Sequence, residues 1–141
     1  MPIITVLVAP RDPIPDLEER IAAVATGAST HRLGKKPELT AVAVQRVDPA
    51  HWFVGGPSLA AQGRSSVWVE IKVVDGTNTK NEKEAFIADI FSGMADLLGD
   101  LHPESYVHVD EVSADAYGFG GLTQERRYIA ARLGVAARPA G

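Results

Sequence analysis

The sequence contains no cysteine. That excludes a disulfide scaffold, a thiolate metal site and a cysteine nucleophile, and it fits a reducing cytoplasm without requiring one. There is no long basic run and the net charge is -4, which argues against a nucleic-acid surface. No apolar stretch approaches a membrane span. The opening residues, Met-Pro-Ile-Ile-Thr-Val-Leu-Val, lack a basic segment and are too short for the apolar core of a secretion signal. A soluble cytoplasmic protein with no membrane or nucleic-acid partner is expected. No GxxxxGK follows a strand, so the glycines form no phosphate loop. The histidines at 31, 51, 102 and 108 show no metal-ligand spacing.

What is present is ordinary for one domain spanning 1–141: 141 residues, 45% hydrophobic and 23% charged. Pro2 stands out. A small residue after the initiator normally allows Met1 to be trimmed, which would leave a secondary aliphatic amine that no side chain supplies. If Met1 stays, the Pro2 nitrogen is a tertiary amide and cannot act as a base.

The chain also repeats itself with an offset of about 65 residues. His51-Trp52-Phe53-Val54-Gly55-Gly56 recurs as Ala116-Tyr117-Gly118-Phe119-Gly120-Gly121, and each copy follows a β-prone run. Each half opens with β-branched residues, Ile3 to Val8 and Val67 to Val74. The spacing of Leu17, Ile21, Val24 and Ala28 predicts a helix that begins near Pro15 and Asp16 and stops at Gly34. Phe86, Ile90, Phe91, Met94, Leu97 and Leu98 predict a second, with Thr79 as N-cap, Glu82 in a capping box and Gly99 as the stop. Each half is therefore strand, helix, strand, and a right-handed crossover makes the two strands of each half parallel.

The expected fold class is α/β (α+β): tandem duplicated β-α-β units forming a four-stranded sheet with two helices on one face. Repeat 1 covers about 2–56, a linker 57–65, repeat 2 66–121, and a C-terminal tail 122–141. The Ala-, Gly- and Pro-rich end of the tail, from Gly134, is expected to be loose. In the strand Val67 to Val73, Trp68, Glu70 and Lys72 alternate with apolar residues, and one layer of helices cannot cover two faces. Other subunits are expected to cover the second face. Each double glycine suits a tight turn into a short extra strand. His51, Trp52, Phe53, Tyr117 and Phe119 are expected subunit contacts.

With Pro2, the two turn sequences and the duplicated unit, the chain resembles the tautomerase superfamily over about residues 2–128. That superfamily includes 4-oxalocrotonate tautomerase and macrophage migration inhibitory factor. The resemblance is to the long form, in which two units make a subunit and three subunits make a barrel-like trimer. It implies a homotrimer that needs no metal or organic cofactor and acts on a small anionic carboxylate substrate. It also implies Pro2 as acid/base and Lys35 as the substrate-carboxylate cation, with Lys36 one place away. Tyr106 and His108 fall where the inhibitory-factor branch has an active-site tyrosine and asparagine. Arg11 is one position out of register with a substrate-binding arginine of the short forms. The segment Val74-Asp75-Gly76-Thr77-Asn78 lacks the arginine pair of the dehalogenase and decarboxylase branches.

Tautomerisation needs a base of near-neutral pKa beside the reacting carbon. Burial and a neighbouring ammonium such as Lys35 both lower an amine's pKa. Tyr106 and His108 could polarise the enolate oxygen. The implied function is interconversion of keto and enol forms of a small 2-oxo or 2-hydroxydienoate acid. Hydration, dehalogenation or decarboxylation of a 3-carbon acid remains open, as does a non-catalytic trimeric binding protein. So do plainer roles: Lys35 and Lys36 also suit a helix C-terminus, Tyr106 suits a strand, and His108 suits a polar interior.

Overall fold

Burial alternates along the strands of this chain. In Ser66–Val74, Val67, Val69, Ile71 and Val73 are buried while Trp68, Glu70 and Lys72 are partly exposed. The buried set packs on two long helices, Leu17–Leu33 and Lys80–Leu98, through Leu17, Ile21, Ala25, Phe86, Ile90 and Met94. The computed structural model describes residues 1–138.

In chain order the elements are β1 (Ile3–Ala9), α1 (Leu17–Leu33), β2 (Ala41–Arg46), α2 (Leu59–Gln62), β3 (Ser66–Val74), α3 (Lys80–Leu98), β4 (Tyr106–Val112), β5 (Gly118–Phe119), β6 (Leu122–Thr123) and α4 (Gln124–Leu133). Single 3-10 turns lie at Pro37–Leu39 and Pro49–His51. β1 to β4 form one sheet in the order β2-β1-β3-β4. β1 pairs with β2 in parallel, β3 pairs with β4 in parallel, and β1 and β3 meet antiparallel. The two βαβ units are thus joined by their first strands.

The helix limits follow local chemistry. Thr79 and Glu82 form the reciprocal capping box of α3. Gly34 ends α1 in the left-handed conformation, φ 67°, with its N–H on Thr30. Gly120 and Gly121, both at positive φ, make the two-residue turn of the β5-β6 hairpin. The first double glycine is followed by less: only an isolated bridge between Phe53 and Ser58.

Two expectations about the chain's connecting segments change. Residues 57–65 contain the helical turn α2, capped by Ser58, with Leu59 buried. Residues 122–141 are not simply a tail, since they contain β6 and the ten-residue helix α4, capped by Thr123 and ended by Gly134. Residues 139–141 of the expected loose end lie outside the described residues. Among the described residues no helix is long and apolar enough to cross a membrane.

Among the described residues no helix covers the other face of the sheet. Register places Ala43, Thr5, Glu70 and His108 in one row across it, with Leu7, Trp68 and Tyr106 in another. Lys72 there bonds Asp110 at 2.6 Å and lies 3.1 Å from Glu70.

Candidate active site

The topology decides what surrounds the start of β1. Because β1 and β2 are parallel, the crossover through α1 returns the chain to the end of the sheet where β1 began, and Ala41 N–H donates to the Pro2 carbonyl at 3.1 Å. Because β3 runs antiparallel to β1, β3 finishes at that same end, and so does β4. Three segments therefore converge on Met1: the loop after α1, the loop after β3, and the chain from β4 to α4.

From the first comes Lys35, just past the Gly34 stop, its backbone N–H held by the Ser29 carbonyl at 3.2 Å. Its ammonium reaches Thr77 Oγ1, in the loop after β3, at 3.3 Å. Asn78 Nδ2 in that loop bonds the Leu33 carbonyl at 3.0 Å, which ties the loop to the end of α1. From the third segment come Tyr117, Gln124, Arg127 and Tyr128. The Tyr117 hydroxyl donates to the Met1 carbonyl oxygen at 2.6 Å. Arg127 Nη1 lies against Met1 Sδ and is 3.3 Å from Gln124 Oε1. The Arg127 guanidinium also stacks over the Phe119 ring, 4.5 Å from its centroid.

Two adjoining cavities share Met1, Lys35, Gln124 and Tyr128. One, of about 340 Å³, adds Lys36 and Arg127 and has no carboxylate in its lining. The other, of about 530 Å³, adds Asp75 and Glu125. Pro2 itself is buried and Met1 half-buried. Burial holds the Met1 amine below its ordinary pKa, and the charges of Lys35 and Arg127 push it the same way. Burial also lowers Lys35, against the pull of Glu82. The half-buried Tyr117 phenol is pushed up by burial, with the Ile3 backbone and Lys72 opposing.

Of the residues picked out from sequence, Lys35 and Lys36 line the cavity beside Met1, and Pro2, buried, adjoins it through Met1. Tyr106, His108 and Arg11 do neither, within one chain. Tyr106 pairs with Trp68, which pairs with Leu7. That puts it roughly 15 Å along the sheet from Pro2 and about 10 Å across it. Its hydroxyl bonds Glu104. His108 lies exposed on the uncovered face, 3.7 Å from Glu70. Arg11 follows the other end of β1, where it pairs with Asp12 at 2.9 Å and Asp100 at 3.5 Å. Its displacement is topological: β1 runs the length of the sheet between it and Pro2. Tyr117 and Phe119, expected at subunit contacts, lie beside the Met1 site within one chain, and Gln124 and Arg127 join them with no sequence motif that singles them out.

No family model matches the sequence, and no curated protein matches it. Solved structures do. A wild-type fused 4-OT described as a symmetric trimer aligns with a TM-score of 0.72 at 16% identity, over 87% of this chain and 96% of that one. Pt0534 inactivated by 2-oxo-3-pentynoate aligns at 0.77 and 13% identity, over 89% and 98%. Macrophage migration inhibitory factor of Toxoplasma gondii aligns at 0.68 and 15% identity, over 86% and 98%. What such distant sequences share is architecture: this chain has the tautomerase-superfamily fold in its fused, two-unit form.

Proposed function

We propose that the protein is a cofactor-independent tautomerase. It interconverts keto and enol forms of a small 2-oxo or 2-hydroxydienoate acid, and the Pro2 amine is the acid/base once Met1 has been removed. The carrying observation is geometric. Met1, the neighbour of the buried Pro2, lines a cavity together with Lys35 and Arg127. Burial and both charges lower the Met1 amine's pKa there, and in this proposal a Pro2 amine at the same strand end takes over that setting. A neutral amine near physiological pH can take a proton from the carbon beside a carbonyl and return it elsewhere on the dienol. Lys35 anchors the substrate carboxylate, with Lys36 beside it. The working assembly is a homotrimer. Support for it comes from the uncovered sheet face and from fused 4-OT structures described as symmetric and asymmetric trimers.

The test is an assay of protein lacking Met1, verified by intact mass, with phenylpyruvate enol and 2-hydroxymuconate. Pro2→Ala should lower the rate by about 10²- to 10⁴-fold, the usual share of a general acid–base group. Equal rates would end the proline mechanism. A second check uses 2-oxo-3-pentynoate, which inactivates one structural neighbour. Its conjugated alkyne accepts amines, so a single adduct on Pro2 is expected, and none on protein that keeps Met1.

A further inference from the structure

We propose that Met1 occupies the substrate's place, and that the groups gathered around it form the anion-binding wall of the site after Met1 leaves: Arg127 and Lys35 for a carboxylate, Tyr117 and Gln124 for the neighbouring oxo oxygen. The ligand class is a small 2-oxo acid. The catalytic part of this inference rests on the tautomerase reading; the binding part does not.

Two of these groups already meet on one residue, and the other two line the same cavity. The Tyr117 hydroxyl bonds the Met1 carbonyl, an oxygen that departs with Met1. Arg127 faces the Met1 thioether, a weak acceptor and a poor match for a guanidinium that presents a planar fork to carboxylates. Gln124 points its Oε1 at Arg127, which leaves its Nε2 buried with no hydrogen-bond partner. A buried donor without a partner is costly, and native structures leave few of them. Gln124 lines the same cavity as Met1, and in this proposal a ligand oxygen taken into that cavity supplies the missing acceptor.

Charge points the same way. Arg11, Arg32, Arg46 and Arg64 each reach a carboxylate. Among the described residues Arg127 and Lys35 reach none, although both are partly buried and both press on the same amine. Like charges drawn partly out of water favour a counter-charge. The cavity that contains both has no acidic residue in its lining; Lys35 feels the Glu82 carboxylate, and the adjoining cavity, which it also lines, holds Asp75 and Glu125. Phe119 covers one face of the guanidinium and leaves its edge toward Met1. At about 340 Å³ before Met1 is removed, the space already reaches the lower range of small-molecule sites, roughly 300–1,000 Å³. Tyr117, Gln124 and Arg127 belong to the chain after β4, so each subunit builds one such wall.

The test measures binding rather than turnover. Two forms of the full chain are prepared: one beginning at Pro2, and one released from an N-terminal fusion so that it begins at Met1. Each is titrated with 2-oxobutyrate, followed by NMR. The Pro2 form should bind at least about tenfold more tightly than the Met1 form. Arg127→Gln in the Pro2 form should weaken binding by roughly 10- to 100-fold, the scale of a lost hydrogen bond to a charged group, and Arg127→Lys should restore part of it. Circular dichroism checks that each variant folds. If Arg127→Gln does not fold, Arg127→Lys and the Met1 comparison decide. Equal binding by the two forms, wild-type binding by Arg127→Gln, or no binding by the Pro2 form would overturn the proposal. Arg127-dependent binding in a protein without tautomerase activity would refute the catalytic reading and keep this one. Tautomerase activity with binding indifferent to Met1 and Arg127 would do the reverse.

Discussion

The Tyr117 hydroxyl donates a 2.6 Å hydrogen bond to the Met1 carbonyl, so the hairpin that closes the second βαβ unit touches the residue that opens the first. The contact follows from the antiparallel meeting of β1 and β3, which sends the end of β4 back to the start of β1. Burial raises the phenol's pKa, so it stays a neutral donor at neutral pH. If it serves the enolate oxygen once Met1 is gone, Tyr117→Phe should lower kcat by about 10²-fold, as removal of an oxyanion donor does. KM should rise by less than kcat falls, because the bond to the oxo oxygen forms on binding and strengthens as charge develops in the transition state. A rise in KM with kcat unchanged would instead mark Tyr117 as a ground-state contact.

Lys35 should set the pH profile as well as affinity. After burial it is the larger of the two charges that lower the Met1 amine's pKa, and it should act in the same sense on the Pro2 amine that replaces it. A lowered amine pKa keeps the base form available at lower pH. Lys35→Met removes that charge, so the amine's pKa rises and the acidic limb of kcat/KM moves to higher pH. KM for the carboxylate substrate should rise by roughly tenfold or more through the lost charged hydrogen bond. A raised KM with an unmoved acidic limb would separate the anchor from the pKa role.

How much of this was legible in the sequence depends on distance along the chain. The α3 capping box, the Gly34 stop and the alternation in β3 are written within a few residues, and each was readable. Lys35 comes from the resemblance, and the parallel crossover through α1 brings it back beside the start of β1. Arg127 was not legible. α4 buries only Ala130, so it carries no apolar stripe to announce a helix. Its signal was weaker: Thr123 as N-cap, Glu125 in the first turn and Gly134 as the stop. Even with α4 recognised, its arrival at Met1 needed the antiparallel β1–β3 pairing, which no local pattern encodes. Tyr106 and His108 were matched by resemblance, and one chain alone leaves them far from Pro2.

The two main helices approach closely at Gly93. A Cβ built there would lie 2.6 Å from Val24 Cγ1. Helix propensity alone favours Gly93→Ala by about 1 kcal/mol. The clash opposes it, because a β-branched valine has little rotamer freedom in a helix, and overpacking costs about 1–3 kcal/mol. The expected net result is a lower urea midpoint for Gly93→Ala. Val24→Ala in the same chain should recover stability beyond the sum of the single changes. A stabilised single variant would show that the helices part at little cost.

The Glu18–Arg46 pair ties the start of α1 to the end of β2, with Arg46 Nε 2.5 Å from Glu18 Oε1. The Arg46 hydrogen bond brings the Glu18 carboxyl down to about 2 from 4.5. A carboxyl whose pKa is lowered on folding adds stability above its unfolded value. That contribution fades as pH falls through its folded value. The gap in Tm between wild type and Arg46→Ala should therefore be present at pH 6 and shrink between pH 4.5 and 2. Both groups are well exposed, so the gap should be small and should narrow further in high salt. A gap that persists at pH 2 would mean that Arg46 acts through packing of its stem.

Tyr106 and His108 test the assembly. On the uncovered face, far from their own Met1, they can serve a Pro2 amine only if another copy of the chain brings them to it. In the proposed trimer, light scattering should give about three times the 15.0 kDa of one chain. If the two residues act across subunits, Pro2→Ala and His108→Ala proteins, each poorly active alone, should regain activity when unfolded together and refolded as a mixture. Some mixed sites then combine an intact amine from one chain with an intact histidine from another. Mixing without unfolding should restore little, because stable trimers exchange slowly. If His108→Ala alone has full activity, His108 is an interior polar residue and the site is complete within one chain. If it is inactive and refolded mixtures recover nothing, His108 acts on its own chain, which the register of β4 against β1 opposes.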